Sequence, residues 1–486
     1  MTAAVQENKI ARNTTYLTVA YILQKILSFS YFLYYARYIG YVGTGKFTFA
    51  VSFVTIFGIL VDLGLSPVLI REVARVNEKA EEYLSSILGL KLFLSIISLL
   101  AIYIVINFLG KPAESMHLVY LAALVMVLDS FTLSFYGVFR AYQNLKYEAI
   151  GSIFNQILVL LVGIVGLHFT HNILILGAAV IFGSLGNFLY ALINIIRKAE
   201  IIPKIKINFN VLRFLLKIAM PFFLAGIFVK LYAYIDIVLL NIMKGDSYAG
   251  WYAVAYKLTY SIQFVPIAFN NAIYPAFSRY FVASKELLAR TFENAFFYLI
   301  TISLPISLGI FVLADKLTVI LSKQYEQSIP ALQVSILGLT FIFLNFIIGS
   351  LLNACNRQKI YMINMGLVVV FNVLANILLI PKLNHVGASL AALLSAIFLF
   401  IIGIYWANKI VKYDKIRVLE RFLKSFFSAF VMAALIFIFK KEVSFYILIP
   451  LGTIFYFSVL FLIRGFTKEE IVNFYYSYVN RNNHKE

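Results

Sequence analysis

Two segments of this chain, Tyr21-Ile-Leu-Gln-Lys25-Ile-Leu and Gly226-Ile-Phe-Val-Lys230-Leu-Tyr, place a lysine in the middle of a long apolar stretch. Each stretch is long enough to cross a membrane, and the two lysines lie 205 positions apart. A lysine at the centre of a bilayer costs about 2.5–3.5 kcal/mol even on the mildest scale. Two such residues at matching positions therefore predict a functional site that an internal repeat has built.

The correspondence between the two segments continues beyond the lysines without a gap. Gly40 matches Gly245, and Gly45-Lys-Phe-Thr-Phe-Ala50 matches Gly250-Trp-Tyr-Ala-Val-Ala255. Leucine, isoleucine and phenylalanine match by chance in any membrane protein, whereas these matches rest on lysine and glycine. The pattern therefore indicates two copies of one structural unit.

The composition is that of a protein embedded in lipid. Of 486 residues, 62% are hydrophobic and only 13% are charged, whereas soluble domains carry about 25% charged residues. The formal net charge of +19 would suit nucleic acid if it were concentrated in one domain, but Lys and Arg are spread over short loops. The composition predicts a polytopic membrane protein with no nucleic-acid partner.

Apolar runs of about 20 residues, the length that crosses a bilayer, predict an all-α fold with about 14 transmembrane helices. The predicted spans are about 12–38, 46–70, 84–109, 116–139, 148–168, 172–197, 213–241, 250–278, 287–313, 328–354, 360–381, 386–408, 419–439 and 445–464.

The repeat groups these spans into two lobes. We expect an N-terminal lobe at 1–205 with spans 1–6, a C-terminal lobe at 206–412 with spans 7–12, and an appended part at 413–486 with spans 13 and 14 and a cytoplasmic tail. An even number of spans separates the two copies, so both have the same orientation. A pseudo-two-fold axis along the membrane normal is therefore predicted, as in transporters that rock two lobes about a central site.

The resemblance to a known family lies in the order of several motifs. Asp62-Leu-Gly-Leu65 with Ile70-Arg-Glu72, Leu351-Leu-Asn-Ala-Cys-Asn-Arg-Gln-Lys359, Asn372-Val-Leu-Ala-Asn376 and Val386-Gly-Ala388 resemble the Wzx-type polysaccharide transporters. These belong to the superfamily of multidrug, oligosaccharidyl-lipid and polysaccharide flippases. Asn356 and Asn384 stand where that family often has glycine. The resemblance implies a flippase that moves a polyprenyl-linked oligosaccharide across the cytoplasmic membrane of a prokaryote for surface glycan assembly.

Positive charge inside the spans suits such a substrate. A polyprenyl (di)phosphate is anionic, and Lys25 and Lys230 would meet it at mid-membrane, one from each lobe. The alternative is that each lysine is paired structurally with an acid inside the membrane, and substrate contact is the favoured interpretation. Lys257 would engage it as the path opens outward. Lysine fits a transient contact because its compact charge demands no fixed bidentate geometry.

Two tyrosines are further candidates for contact with substrate. Tyr234 and Tyr256 lie within about one turn of an intramembrane lysine, and an aromatic face can cover a sugar. The alternative is that they belong to the aromatic belts found at membrane interfaces.

Three acids also lie within the predicted spans, namely Asp62, Asp129 and Asp236. Such residues couple transport to H⁺ or Na⁺, or pair structurally with a lysine. The structural role is favoured for Asp62 and Asp129, and Asp236 is open.

Other classes of protein lack support in the sequence. There is no Gly-x-x-x-x-Gly-Lys-Ser/Thr loop and no His-Glu-x-x-His motif, and Cys355 is the single cysteine, so neither a cofactor nor a metal is predicted. A membrane glycosyltransferase or glycan polymerase would need a large polar loop with catalytic carboxylates. The longest predicted outer connection, Asp315 to Gln327, is too short for that, so we expect no enzyme.

The competing transporter class is a cation-coupled multidrug exporter. Such exporters usually have twelve helices and acidic cavities, whereas this chain has two further spans and two central lysines. We therefore expect a lipid-linked oligosaccharide as substrate, membrane lipids as surroundings, and a monomer that associates with glycan-assembly proteins.

The distribution of Lys and Arg predicts the topology. Most of the 41 basic residues fall in the loops and tails that lie inside if the N-terminus is cytoplasmic. Reporters fused after Glu486 and in the loop at Lys204 should therefore both report the cytoplasm. An outside signal from the C-terminal fusion alone would mean an odd number of spans.

Overall fold

The structure is a computed structural model that describes residues 3–465. Helices make up its regular structure, and no strand occurs in that range. The predicted all-α class is confirmed, whereas the predicted cytoplasmic tail lies outside the described residues.

The helices are α1 (Ala3–Asp62), α2 (Leu65–Arg75), α3 (Ala80–Phe108), α4 (Ala113–Ala141), α5 (Lys146–Thr170), α6 (Leu174–Lys198), α7 (Phe209–Lys244), α8 (Asp246–Ser261), α9 (Phe264–Ala283), α10 (Lys285–Leu321), α11 (Ser328–Leu337), α12 (Leu339–Ala354), α13 (Gln358–Ile410), α14 (Lys415–Phe439) and α15 (Phe445–Leu462).

Length and apolar composition make this a multi-pass membrane protein. Eleven helices of the described part are long and apolar enough to cross a membrane. Large apolar side chains such as Phe93, Ile104 and Phe437 are exposed on them, as expected where lipid covers the surface. Helix α1 covers predicted span 1 and most of span 2, and α13 covers spans 11 and 12. Each consists of two helices that meet at one non-helical residue, Gly40 in α1 and Asn384 in α13. The count of fourteen spans stays a prediction.

Several predicted span boundaries were wrong. Predicted spans 2 and 10 are each divided, with breaks at residues 63–64 and at Gly338, and local sequence explains three further cases. Predicted span 8 is divided into α8 and α9, with a break at residues 262–263. Pro266 has no N–H to offer the carbonyl of Ile262, and its ring crowds that oxygen. The predicted loop between spans 1 and 2 reduces to the single residue Gly40, because glycine adopts the required backbone without leaving the helix on either side.

The third of these cases concerns the predicted outer connection from Asp315 to Gln327. Helix α10 continues to Leu321, so only residues 322–327 separate it from α11. The charged pair Asp315-Lys316 suggested a loop, but the apolar run that follows it extends the helix.

The repeat is visible in the backbone of matched glycines. Gly40 has φ 70° and ψ −177°, and Gly245 has φ 89° and ψ −175°. A side chain is strained in this region, which is essentially restricted to glycine. The two copies therefore use glycine at the same position for the same conformation.

The asparagines that replace the family's glycines also have positive φ. Asn356 has φ 60° and Asn384 has φ 52°. Asparagine is among the few residues with a Cβ that tolerate this region. The substitution therefore leaves the turn geometry in place.

A close helix crossing joins the two copies at a second pair of matched glycines. A Cβ on Gly45 would collide with the carbonyl oxygen of Asp246, and a Cβ on Gly250 would collide with that of Tyr41. Tyr41 and Asp246 are themselves matched positions, so the contact is the same in both directions, as a two-fold axis requires. This local contact supports the predicted axis, which for complete lobes stays a prediction.

Packing groups the described residues into two compact units. The first contains residues up to Phe264 together with Leu321–Gln327 and Met362–Ala391. In it, α1 packs against α4, α5, α7 and α8. The second contains Val265–Ile320, Ser328–Tyr361 and the residues from Ala392 onward. In it, α14 packs against α15, and the Tyr456 hydroxyl donates to the Thr301 carbonyl at 3.0 Å. The predicted lobe boundaries at 205 and 412 remain predictions.

A buried ion pair fixes the end of α1 to α3. Lys91 is fully buried, and its Nζ lies 2.7 Å from Asp62 Oδ1. The same ammonium donates to the Ser130 carbonyl at 2.9 Å and to Ser66 Oγ at 3.4 Å. Ser66 in turn donates its hydroxyl to Asp62. Every proton of the lysine is satisfied, so the pair can exist away from water.

Removing either partner of this pair should destabilise the protein. We expect Asp62→Asn and Lys91→Met each to cost about 3–5 kcal/mol, because each leaves an uncompensated buried group. The double variant should recover much of the loss. Thermal unfolding of purified protein measures this. Additive losses in the double variant would show that the two residues do not act as a pair.

Candidate functional site

A cavity of about 450 Å³ opens within the first unit. Its walls come from the second half of α1, from α4, α6 and α7, and they are mainly apolar, with Phe47, Val54 and Met126 among them. Three predicted site residues line it, namely Asp62, Asp129 and Lys230. The structure thus brings together residues from both repeats that the sequence could only place at similar depth.

The charges around this cavity are balanced. Asp62 forms an ion pair with Lys91, whereas Asp129 is exposed and has no ion pair among the described residues. Lys230 is half-buried on the α7 side. One carboxylate without an ion-pair partner among the described residues thus lines the same mainly apolar cavity as one lysine.

Tyrosine rings connect Lys230 to Lys25. Lys230 Nζ lies 5.8 Å from the ring centre of Tyr234, and Tyr234 lies 6.5 Å from Tyr256. Tyr256 stacks on Tyr260 with ring centres 5.6 Å apart and planes 14° apart. Lys25 Nζ sits 4.2 Å above the ring of Tyr260. We call Tyr234, Tyr256 and Tyr260 the tyrosine row.

Helical spacing explains part of this row. Tyr252, Tyr256 and Tyr260 are four residues apart on α8, so their side chains lie on one face. Tyr234 comes from α7, which packs against α8. The row therefore runs from one helix to the next and ends at a lysine on each side.

Lys257 lies near the Lys25 end of the row. Its Nζ donates to Ser28 Oγ at 3.2 Å and lies 5.7 Å from the ring centre of Phe32. Lys25, Ser28 and Phe32 are all on the first half of α1. This half of α1 and α8 thus present two ammonium groups whose described partners are neutral, which leaves their charge available to an anion.

Asp236 occupies a different setting from the other two acids. It is only 7% exposed, and its described partners are neutral. Asn376 Nδ2 donates to Oδ1 at 2.6 Å, and the Tyr252 hydroxyl donates to Oδ2 at 3.3 Å. Asn376 also contacts Asn372. A buried carboxylate with neutral partners is costly to keep charged, so binding of a proton or of a cation is favoured there.

The predicted site residues thus fall into connected groups. Lys25, Lys230, Tyr234 and Tyr256 meet along the tyrosine row, Lys257 lies beside it, and Asp62 and Asp129 line the cavity with Lys230. Asp236 accepts a hydrogen bond from Tyr252, which lies on the same face of α8 as Tyr256 and Tyr260. The two central lysines do not touch each other, and the rings lie between them.

Sequence reasoning did not single out Lys91, Ser28 and Tyr260 as site residues. The spacing of Tyr260 four residues beyond Tyr256 was a usable signal for the row. Nothing in the sequence pairs Lys91 with Asp62 or Ser28 with Lys257, because these residues come together only through helix packing.

Comparison with known proteins identifies the family. A family model described as "Polysaccharide biosynthesis protein" matches residues 10–281, more than half of the chain, and a model named MatE matches residues 221–378. An uncharacterized membrane protein of Methanocaldococcus jannaschii is 22% identical over 441 residues, covering 84% of this chain and 86% of that protein.

Solved structures share the fold. The lipid II flippase MurJ in an inward closed conformation aligns with a TM-score of 0.76 at 16% identity, covering 92% of this chain and 98% of MurJ. An inward-facing multidrug resistance transporter of the MATE family gives 0.63 at 14% identity, covering 81% and 94%. A MOP superfamily transporter from Pyrococcus furiosus, described as having a binding pocket of reverse polarity, gives 0.59 at 15% identity, covering 82% and 95%.

These matches confirm the resemblance that the sequence motifs indicated. The chain belongs to the polysaccharide biosynthesis protein family and has the fold of the MOP-superfamily flippases and transporters.

Proposed function

We propose that this protein is a flippase that moves a polyprenyl-(di)phosphate-linked oligosaccharide across the cytoplasmic membrane by alternating access. The observation that carries the proposal is the row of tyrosine rings between Lys25 and Lys230. It provides positive charge at both ends and aromatic faces between them. A substrate that joins an anionic phosphate to sugars needs both.

Lys25 is suited to receive a phosphate and later release it. Its ammonium lies over the Tyr260 ring, a contact that contributes about 0.5–2 kcal/mol. A phosphate oxygen forms a stronger, charge-assisted hydrogen bond with an ammonium group. The lysine therefore exchanges the ring for the phosphate without being left unpaired in either state.

The ring faces are suited to sugars. A tyrosine offers an apolar face to the C–H surface of a sugar and a hydroxyl for hydrogen bonding. Tyr234, Tyr256 and Tyr260 are each half-buried, so part of every ring is open. Lys257 contacts Ser28, which lies one helical turn after Lys25 on α1. We therefore propose that Lys257 binds the same headgroup as Lys25.

Asp236 is the candidate for ion coupling. Its partners Asn376 and Tyr252 are neutral, and Tyr252 lies on the same face of α8 as Tyr256 and Tyr260. Binding of H⁺ or Na⁺ at Asp236 would change the hydrogen bond to Tyr252 and thereby bias α8. We propose this as the link between an ion gradient and the substrate path.

The second candidate function is a cation-coupled multidrug exporter. Asp129 favours it, because an exposed carboxylate in a mainly apolar cavity suits an amphipathic cation. Lys230 in the same cavity opposes it, because it repels a cation. Drug susceptibility of cells lacking the protein separates the two functions: the exporter predicts sensitivity, and the flippase predicts loss of surface glycan.

The remaining parts of the proposal follow from the flippase function. The protein would lie in the cytoplasmic membrane of a prokaryote with both termini inside. It would act as a monomer beside glycan-assembly proteins, and it would carry out transport and not catalysis.

Replacing Lys25 or Lys230 by glutamine should reduce glycan export at least about tenfold, because a charge-assisted hydrogen bond contributes about 1.5–3 kcal/mol. Glutamine keeps much of the side-chain length, so the protein should still insert in normal amount. Arginine should restore more export than glutamine. Surface glycan in cells, normalised to protein level, measures the effect.

Lys217→Gln is the matched control, because Lys217 is an exposed lysine on the same helix as Lys230. It should leave export unchanged. Normal export by both glutamine variants would show that Lys25 and Lys230 are structural.

Asp236→Asn should be made in normal amount and lose the dependence of export on the ion gradient, since the amide still fits its neutral partners but cannot take up a proton. Export measured with and without an ionophore tests this. The same replacement at Asp129 is the comparison. If Asp129→Asn abolishes the dependence and Asp236→Asn does not, the coupling site lies in the cavity. A fall in protein level alone would assign Asp236 a structural role.

A further inference from the structure

One short segment, Leu321–Gln327, packs in an unusual way for a connection between helices. It joins α10 to α11, and both helices belong to the second compact unit, yet the segment itself belongs to the first. The predicted topology places it on the outer side of the membrane. We call it the outer segment.

Tyr325 anchors the outer segment. Its side chain is 0% exposed and is one of the two largest fully buried side chains among the described residues. The hydroxyl donates to the Ala36 carbonyl at 2.9 Å and lies 2.8 Å from Thr44 Oγ1. Because its single proton goes to Ala36, it accepts from Thr44. The tyrosine thus reaches both sides of the Gly40 break in α1.

Three backbone carbonyls of the outer segment accept hydrogen bonds from surrounding side chains. Arg37 Nε donates to Leu321 at 3.1 Å, and Trp251 Nε1 donates to Gln324 at 3.2 Å. The oxygen of Gln327 lies 2.7 Å from His385 Nε2, which therefore carries the proton. These donors come from α1, α8 and α13.

The repeat shows that this packing is specific to one copy. Gln324 Oε1 lies 2.7 Å from the point where a Cβ of Gly40 would be, whereas a Cβ on the matched Gly245 would meet nothing within 4 Å. Gly40 and Gly245 have the same backbone conformation, so this conformation does not by itself require a side chain packed against the glycine. The outer segment fills a place that its counterpart leaves open.

We propose that the outer segment is a latch that closes the outer end of the path beside α1 and α8. It holds α1, which carries Lys25, and α8, which carries Tyr256 and Tyr260, and it leaves its pocket when substrate is released outward. Its polar contacts suit reversible release, because they are separate neutral or singly charged hydrogen bonds that water can replace one by one, and because the tyrosine that anchors it has both an apolar ring and a polar hydroxyl and so tolerates a buried and a wet setting. This inference rests on the proposed flippase function.

Thiol labelling tests the latch without any substrate. Thr44→Cys in a background with Cys355→Ala puts a thiol beneath Tyr325, where a membrane-impermeant maleimide should react slowly from outside. Adding Tyr325→Phe or Trp251→Phe should speed labelling at least threefold, because each removes one donor and leaves an aromatic ring in place. Ser115→Cys, buried at the start of α4, is the control thiol and should not respond.

A cross-link tests whether the segment must move. A short, reducible bis-methanethiosulfonate should join Thr44→Cys to Tyr325→Cys, abolish export, and release it again on reduction. The matched control joins Lys46→Cys to Glu114→Cys, which replace an ion pair at 2.6 Å between α1 and α4. That cross-link should leave export intact.

The results separate the latch from the proposed function. Unchanged labelling in both variants at normal protein level, or full export by the cross-linked latch, would overturn the latch. If the unmodified protein exports no lipid-linked glycan but the labelling contrast is present, the flippase function fails and the latch stands.

Discussion

The cost of keeping lysine ammonium groups inside a lipid-facing helix bundle is the constraint on which this structure depends. The protein meets that cost in different ways at different lysines. Lys91 is neutralised by Asp62 and has every proton satisfied. Lys25 and Lys257 instead rest on aromatic rings and a hydroxyl. The first arrangement is closed to a ligand, whereas the second leaves the charge uncompensated and hence ready for an anion.

The same distinction separates the three acids. Asp62 belongs to a closed ion pair, which favours the structural interpretation. Asp129 faces an apolar cavity shared with Lys230. Asp236 is buried among amide and hydroxyl donors. Three carboxylates that look alike in sequence thus have three environments, and only the last combines deep burial with neutral partners.

The internal repeat gives matched positions the same geometry, and its exceptions show where the two copies differ. Gly40 and Gly245 share a backbone conformation, and Gly45 and Gly250 make the same contact in both directions. The outer segment breaks this equivalence by covering Gly40 alone. The proposed latch rests on this difference between two otherwise equivalent positions.

The sequence alone determined the all-α membrane class, the family and the repeat. Apolar length, the scarcity of charge and matched lysines and glycines act locally and leave a direct record in the order of residues. The sequence also placed Lys25, Lys230, Tyr234 and Tyr256 at similar depths in the membrane. Helix ends were less well predicted, because a glycine or proline decides the local backbone. Gly40 alone separates the two helical parts of α1, and Pro266 offers no N–H to the carbonyl of Ile262, just after the last residue of α8.

Only the tertiary structure decided which charge meets which partner. Asp62 and Lys91 are 29 positions apart, and Lys25 meets Tyr260 across 235 positions. Helical periodicity gives the face of one helix but not its rotation against another, and that rotation follows from side-chain packing. The sequence therefore determined which residues are costly to bury, and the fold decided which of those costs are compensated and which remain open for a ligand.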